Sequence, residues 1–267
     1  MQVVILCGGQ GTRIRDVAED IPKPMVPLGD QPILWHIMKR YAHYGHRDFI
    51  LCLGYKSWTI KSYFLDFHLA QADLRIRLGR RDELEVVGAE PEDDWRVTLA
   101  ETGLHAMTGC RVKRIAKYIT GEHFMLTYGD GVADVDIRKL LAFHRRYGKI
   151  GTVTAVCPPA RFGELRLAGS KVAEFKEKPL LSGGRINGGY FVFHRSFLDR
   201  LEDDPELVLE REPLARLARD GQLMAYRHDS FWYPMDNSRD YNYLNSLWLS
   251  GQAPWRTESR RTLRRAA

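Results

Sequence analysis

An apolar run, Val3-Val4-Ile5-Leu6-Cys7, ends on Gly8-Gly9 and continues into Gln10-Gly11-Thr12-Arg13, and no other stretch limits the possible folds so strongly. A short β-branched and aliphatic run without polar alternation suits a strand covered on both faces, the usual situation in a parallel sheet. Glycines directly after such a strand let backbone N–H groups approach an anion with no Cβ in the way. Arg13 adds a fixed planar charge, and Lys23, within Pro22-Lys23-Pro24, a second and mobile one. The stretch reads as a strand feeding a phosphate-binding loop.

Two commoner loops fail on the letters. A dinucleotide fingerprint G-x-G-x-x-G starting at Gly9 places its third glycine on Ile14, which removes the close helix–strand packing that glycine permits. A P-loop needs Lys followed by Ser or Thr directly after its last glycine, whereas Gly11 is followed by Thr12-Arg13. A tight strand-to-helix turn with an exposed Arg stays open from this loop alone, and Pro22-Lys23-Pro24 tilts the reading toward phosphate.

Pro32 opens a helix in which Ile33, Ile37 and Tyr41, with Leu34 and Met38, recur at helical spacing until Gly45 ends it. His36 lies among these positions and reads as a core histidine. Phe49-Ile50-Leu51-Cys52-Leu53 is a second continuous apolar strand, and Ser57 is expected to cap a helix running to about residue 70. Strand, helix, strand, helix is the α/β pattern. Two alternating runs, 74–78 and 95–99, flank an acidic stretch and predict an excursion from the core sheet. The second runs into Glu101-Thr102-Gly103, and a helix from about residue 107 carries Val112, Ile115, Ala116 and Ile119 on one face. Thr102 and Arg111 thus stand at a strand-to-helix junction, equally suited to a ligand or to a turn threonine and a solvent arginine.

Residues 123–128 form a third core strand that ends in Gly129-Asp130-Gly131. Ligands of open α/β sheets bind at the carboxyl ends of strands, where an Asp between glycines reaches a metal or a phosphate, although the same letters suit a plain turn. A helix over 136–147, a strand over 151–156 and a hairpin about Gly169-Ser170 lead to Glu177-Lys178-Pro179. A strand over 186–193 contains Asn187-Gly188-Gly189, a bulge or an amide offered to sugar hydroxyls. Helices near 196–202 and 210–220, a strand over 223–226, a second isolated carboxylate at Asp236 and a helix over 238–249 close the fold.

The net charge of +6 raises the question of a nucleic-acid partner, but residues 256–267 hold five Arg against one Glu. Residues 1–255 carry 35 basic and 33 acidic residues, so no basic surface is expected and no nucleic acid. No apolar stretch approaches a membrane span, and the N-terminus lacks a signal-peptide pattern. Cysteines at 7, 52, 110 and 157 show no C-x-x-C pair, which favours reduced thiols in a cytoplasm. Neither metal-ligand spacing of His and Cys nor a G-x-S-x-G elbow is present.

Together, G-G-x-G-T-R at 8–13 and P-K-P at 22–24 resemble the signature of the sugar-nucleotide pyrophosphorylases, nucleotidyltransferases acting on sugar 1-phosphates. The segments 32–38 (P-I-L-W-H-I-M) and 128–134 (Y-G-D-G-V-A-D), with Phe162-Gly163, Glu177-Lys178-Pro179, Asn187-Gly188-Gly189 and Pro234-Met235-Asp236, are similar to the branch of that family using CTP and glucose 1-phosphate. The resemblance covers nearly everything up to Trp255, with Cys7 where the family usually has Ala and Gln10 where Leu is common.

It implies an α/β, Rossmann-like, mostly parallel mixed sheet flanked by helices, with a small β excursion and a C-terminal sugar-binding part. One domain spans 1–255, its nucleotide-binding part about 1–135 and its sugar-binding part about 136–255, followed by an Arg-rich tail. It implies CTP held by Leu6, Gly8, Gly9, Gln10, Gly11, Thr12 and Arg13, with Lys23 at the α-phosphate and Thr102, Arg111 and Gly129 completing the pocket. Asp130 and Asp236 would share Mg2+. Glu177, Lys178, Asn187 and Gly188 would bind the sugar phosphate, and Arg13, Lys23, Asp130 and Lys178 would be catalytic. A homo-oligomer and a role in deoxysugar or cell-surface polysaccharide precursor synthesis are implied as well. Two rivals remain: a nicotinamide-dependent oxidoreductase, disfavoured by the missing glycine, and a nucleotide-binding regulator without catalysis.

Overall fold

In the first strand, Val3 and Ile5 pack into one hydrophobic cluster and Val4 and Leu6 into another, so both of its faces are buried. The computed structural model describes residues 1–9, 21–70, 72–79, 84–87, 94–158, 164–176 and 184–257. Its main sheet contains β1 (Gln2–Leu6), β2 (Asp48–Leu53), β3 (Arg96–Glu101), β4 (His123–Tyr128), β5 (Gly151–Val156), β6 (Ile186–His194) and β7 (Leu223–His228). Their order is β7-β5-β6-β4-β1-β2-β3. Among the described strands of this sheet only β6 runs against its neighbours, β4 and β5; the sheet's other pairings are parallel.

Helices α1 (Ile33–His43), α2 (Ser57–Leu65), α4 (Ile137–Tyr147) and α6 (Ser238–Leu249) contribute Ile33, Ile60, Leu140 and Leu244 to the cluster on one face. Helices α3 (Thr108–Arg114) and α5 (Glu212–Arg219) contribute Val112, Leu214 and Leu217 to the other. The result is a three-layer, mostly parallel α/β sheet of Rossmann-like type. From β1 the chain steps outward through β2 to β3, then returns to the opposite side of β1 for β4. This reversal opens a crevice at the carboxyl ends of β1 and β4, the place where such sheets bind ligands.

Two local expectations are corrected. Residues 96–101 are not part of an excursion: β3 is the edge strand of the main sheet, parallel to β2 with Leu51 opposite Leu99. Its polar alternation reflects that edge position, where Ala100 alone among these residues is buried. The excursion is the hairpin Asp73–Ile76 with Leu84–Val87, whose residues are all exposed. Ser57 does not cap α2; it is the first helical residue, preceded by Lys56 in the left-handed region at φ 47°, and the helix stops at Leu65 before a short turn, Phe67–Ala70. By contrast Asp136 caps α4 by accepting a hydrogen bond from Lys139 N at 3.1 Å. No helix among the described residues is long and apolar enough to cross a membrane.

His36 belongs to the core. It is 3% exposed, its Nε2 lies 2.9 Å from the Leu28 carbonyl, and its ring meets those of Trp35, Trp248 and Trp255 edge-on. Burial lowers its pKa from 6.5 to about 4 against the opposing pull of its hydrogen bonds. The unfolded chain therefore takes up a proton below pH 6.5 that the folded chain refuses until about pH 4. Stability from this group is complete above 6.5 and lost as pH falls through 4, up to roughly 3 kcal/mol. Thermal unfolding between these pH values should show a shallower fall in Tm for His36→Gln than for the unsubstituted chain; equal slopes would assign the fall to other groups.

Candidate active site

A cavity of about 840 Å3 opens in the crevice, lined among others by Leu6, Gly8, Gly9, Lys23, Arg111, Gly129, Asp130, Glu210 and Asp236. At one end Lys23 Nζ lies 2.8 Å from Asp130 Oδ2 and 2.8 Å from Asp236 Oδ1. Three separate devices produce this convergence. Lys23 sits on a 3-10 turn, Lys23–Met25, held between Pro22 and Pro24. Asp130 leaves the end of β4, and the strand Gly131–Ala133 pairs antiparallel with Trp232–Pro234, Gly131 opposite Pro234. That pairing places Met235 N 2.8 Å from the Asp130 carbonyl and so carries Asp236 to the same point. Burial by itself would pull the Lys23 ammonium down, but the two carboxylates outweigh it and hold the group above its ordinary value.

Arg111, also on the cavity wall, is buried and both terminal nitrogens of its guanidinium are engaged. Nη1 donates to the Leu53 carbonyl at 2.9 Å and to Thr102 Oγ1 at 2.8 Å, and Nη2 to the carbonyls of Gly8 at 3.0 Å and Leu104 at 3.3 Å. Thr102 in turn donates to Leu53 O at 2.6 Å. Arg111 thus stitches the ends of β1, β2 and β3 together, and a Cβ on Gly8 would stand 2.2 Å from its Nη1. Among the described residues a Cβ at Gly9 would meet nothing within 4 Å, and Gly9 lines the cavity. Cys7, also lining the cavity, is held as a thiol: burial, with the neighbouring Cys52 and Asp130 adding, pushes its pKa well up. It is therefore unsuited to act as a nucleophile.

Residues 2–242 match the nucleotidyl transferase family. The chain belongs to that family. The nucleotidyl transferase is 48% identical over 259 residues to the glucose-1-phosphate cytidylyltransferase of Salmonella typhimurium, covering 96% of this chain and 99% of that one. The Salmonella typhi protein of the same name matches with the same identity and coverage. Among solved structures, HddC from Yersinia pseudotuberculosis superposes with a TM-score of 0.64 at 23% identity, over 92% of this chain and 99% of that one, and shares the fold.

Within this nucleotidyl transferase the structure gathers Leu6, Gly8, Gly9, Lys23, Arg111, Gly129, Asp130 and Asp236 around one cavity. Thr102 stands behind Arg111 rather than on the cavity wall. Asn187 and Gly188 lie on β6 beside it: Asn187 Nδ2 donates to Tyr128 Oη at 3.1 Å, and its Oδ1 accepts from Gly189 N at 2.8 Å. Gln10, Gly11, Thr12, Arg13, Glu177 and Lys178 fall outside the described residues.

Sequence reasoning missed Thr108, Val208 and Glu210. The segment before α5 docks on the start of α3, with Met107 N 2.8 Å from the Pro205 carbonyl and Gly109 N 2.9 Å from that of Leu207. A Cβ on Gly109 would stand 2.8 Å from the Leu207 side chain. Gly109 was the one available sign of a close approach, but nothing local names its partner.

Nucleotidyl transferases of this family generally use a divalent metal. No group of three or more His, Cys, Asp or Glu suited to a metal occurs among the described residues. Asp130 and Asp236 nevertheless fit one. Two hard oxygen donors already converge on a single cation, and a small divalent ion is commonly held by one or two carboxylates with water and substrate phosphate completing the shell.

Proposed function

We propose that this enzyme transfers a cytidylyl group from CTP to α-D-glucose 1-phosphate, giving CDP-glucose and pyrophosphate, with Mg2+ as the metal. The observation that carries this reading is the Lys23, Asp130 and Asp236 cluster at the end of a cavity large enough for a nucleotide and walled by two glycines. The 48% identity to chains named for that activity supports the choice of base and sugar.

The reaction is an in-line displacement. A phosphate oxygen of glucose 1-phosphate forms a bond to the α-phosphorus of CTP as the bond to the bridging oxygen breaks, and pyrophosphate departs with that electron pair. A phosphate monoester, with its second pKa near 6, is largely dianionic at neutral pH, so no general base is required. The obstacle is repulsion between two polyanions. Lys23 supplies a mobile positive charge at the α-phosphate, Arg13 and Lys178 supply further charge, and Gly8 and Gly9 offer backbone on the cavity wall to the nucleotide. Glu177, Asn187 and Gly188 orient the sugar. Mg2+, held by Asp130 and Asp236, supplies charge that offsets what develops on the phosphoryl oxygens. The nucleotide-binding work falls mainly to about 1–135 and the sugar-binding work mainly to about 136–255. We place the enzyme in the cytoplasm as a homo-oligomer making a precursor of deoxysugars or cell-surface polysaccharide.

The test is pyrophosphate release from CTP, UTP, dTTP and GTP, each crossed with a panel of sugar 1-phosphates and Mg2+. CTP with glucose 1-phosphate should give the highest kcat/KM. Another leading pair would keep the chemistry and replace the substrates, and binding without release from any pair would make the chain a nucleotide-binding regulator.

A further inference from the structure

Glu210 is a carboxylate on the wall of a cavity that, on the reading above, must accept two polyanions. Asp130 and Asp236 share Lys23, but Glu210 has no cation partner among the described residues. Its Oε2 accepts from Thr108 Oγ1 at 2.7 Å and its Oε1 from the Tyr128 hydroxyl. Burial first, and then the carboxylate itself, raise the Tyr128 pKa, so the phenol stays protonated and the hydrogen bond runs from Tyr128 to Glu210. Thr108 also accepts from Leu209 N at 2.9 Å, which pins the residue directly before the glutamate. Both oxygens are thus oriented by neutral hydroxyls, and each keeps a lone pair for a further donor.

A fixed negative charge in a phosphate-binding cavity opposes binding unless it accepts a hydrogen bond from a neutral part of the ligand. The position of Glu210 says which part. Tyr128 directly precedes Gly129 and Asp130, whose carboxylate holds Lys23, and Thr108 stands one helical turn before Arg111, which is bonded to the Gly8 carbonyl. Glu210 bridges the two, so a nucleotide with its α-phosphate at Lys23 and its base toward Arg111 has its ribose beside this carboxylate. Carboxylates are established partners of ribose hydroxyls in nucleotide sites of α/β sheets.

We infer that Glu210 accepts a hydrogen bond from the ribose 2′-hydroxyl and makes the enzyme select ribonucleoside over 2′-deoxyribonucleoside triphosphates. The inference rests on the reading of the cavity as a nucleoside triphosphate site. The experiment compares kcat/KM for CTP and 2′-deoxy-CTP, at saturating glucose 1-phosphate and Mg2+, in the unsubstituted enzyme, Glu210→Ala and Glu210→Gln, with Tm measured for each. The unsubstituted enzyme should prefer CTP by about tenfold or more, as expected for one hydrogen bond to a charged acceptor in a partly open site. Glu210→Ala should bring that ratio close to one, and Glu210→Gln, which keeps an acceptor oxygen, should retain part of it.

A merely structural brace for Tyr128 and Thr108 would behave differently, lowering both nucleotides together and leaving the ratio intact; that result overturns the inference. So does equal use of CTP and 2′-deoxy-CTP by the unsubstituted enzyme, or a rise in KM for glucose 1-phosphate alone, which would put the carboxylate on the acceptor sugar. Should another nucleoside triphosphate prove to be the donor, the same ratio is read with it and its 2′-deoxy counterpart, so the base assignment and the role of Glu210 fail separately.

Discussion

Lys23→Ala is expected to lower kcat about a thousandfold, the scale on which a cation at a transferring phosphoryl group contributes, while the sheet remains folded. Lys23 makes no contribution to either hydrophobic cluster, and its ammonium is occupied by Asp130 and Asp236 at 2.8 Å each. Removing it leaves two carboxylates directed at the same point. Their side chains are 36% and 28% exposed, so water and salt screen much of the repulsion. The cost should be on the order of 1 kcal/mol, or about 2–4 °C in Tm for a chain of this size. Added Mg2+ should recover part of that loss, because a divalent cation can take the place between the carboxylates. Pyrophosphate release and calorimetry check both halves. A kcat within tenfold of the unsubstituted enzyme would remove Lys23 from the reaction, and a Tm indifferent to Mg2+ would remove the metal from this pair.

Asp236→Asn should cost about 10² to 10³ in kcat by weakening metal binding and loosening Lys23, an effect of the size seen when one electrostatic contact to a reacting phosphoryl or oxyanion is lost. Amide for carboxylate keeps the volume and leaves the local backbone intact, since the Asp236 N–H donates to Asp240 Oδ2 at 3.1 Å and does not depend on the substituted side chain. The change should therefore appear as a loss of Mg2+ affinity with little change in Tm in the absence of metal. Titrating Mg2+ against Tm in the presence of CTP separates the two: the midpoint should move to higher Mg2+ for Asp236→Asn and likewise for Asp130→Asn. An unchanged midpoint with lost turnover would assign Asp236 to Lys23 alone.

The α/β class could be read from short windows because strand burial is a local matter. Val3 to Cys7 and Phe49 to Leu53 are apolar at every position, which only a strand covered on both faces tolerates, and both form central strands. The limits of α4 and α6 are local for the same reason: Asp136 and Asn237 cap their N-termini and Gly148 closes α4 in the left-handed region. Edge strand β3 was misassigned because an edge strand carries the same alternation whether it borders the main sheet or a hairpin, and only the pairing of Leu99 with Leu51 tells them apart.

Sequence alone determined that Gly8 and Gly9 follow a doubly buried strand, that Lys23 is fixed between two prolines, and that Asp130 and Asp236 are each isolated at the end of an apolar segment. Each of those facts is carried by residues within a few positions of one another. Tertiary structure decided the rest. It brought Lys23, Asp130 and Asp236 to one point through the pairing of 131–133 with 232–234, turned Arg111 onto the carbonyls of Gly8 and Leu53 at two strand ends, and set Glu210 between Thr108 and Tyr128. These contacts join residues roughly 60 to 210 positions apart in the chain. The free energy that fixes them comes from burying whole elements against one sheet, and no local pattern of letters records which distant element will arrive.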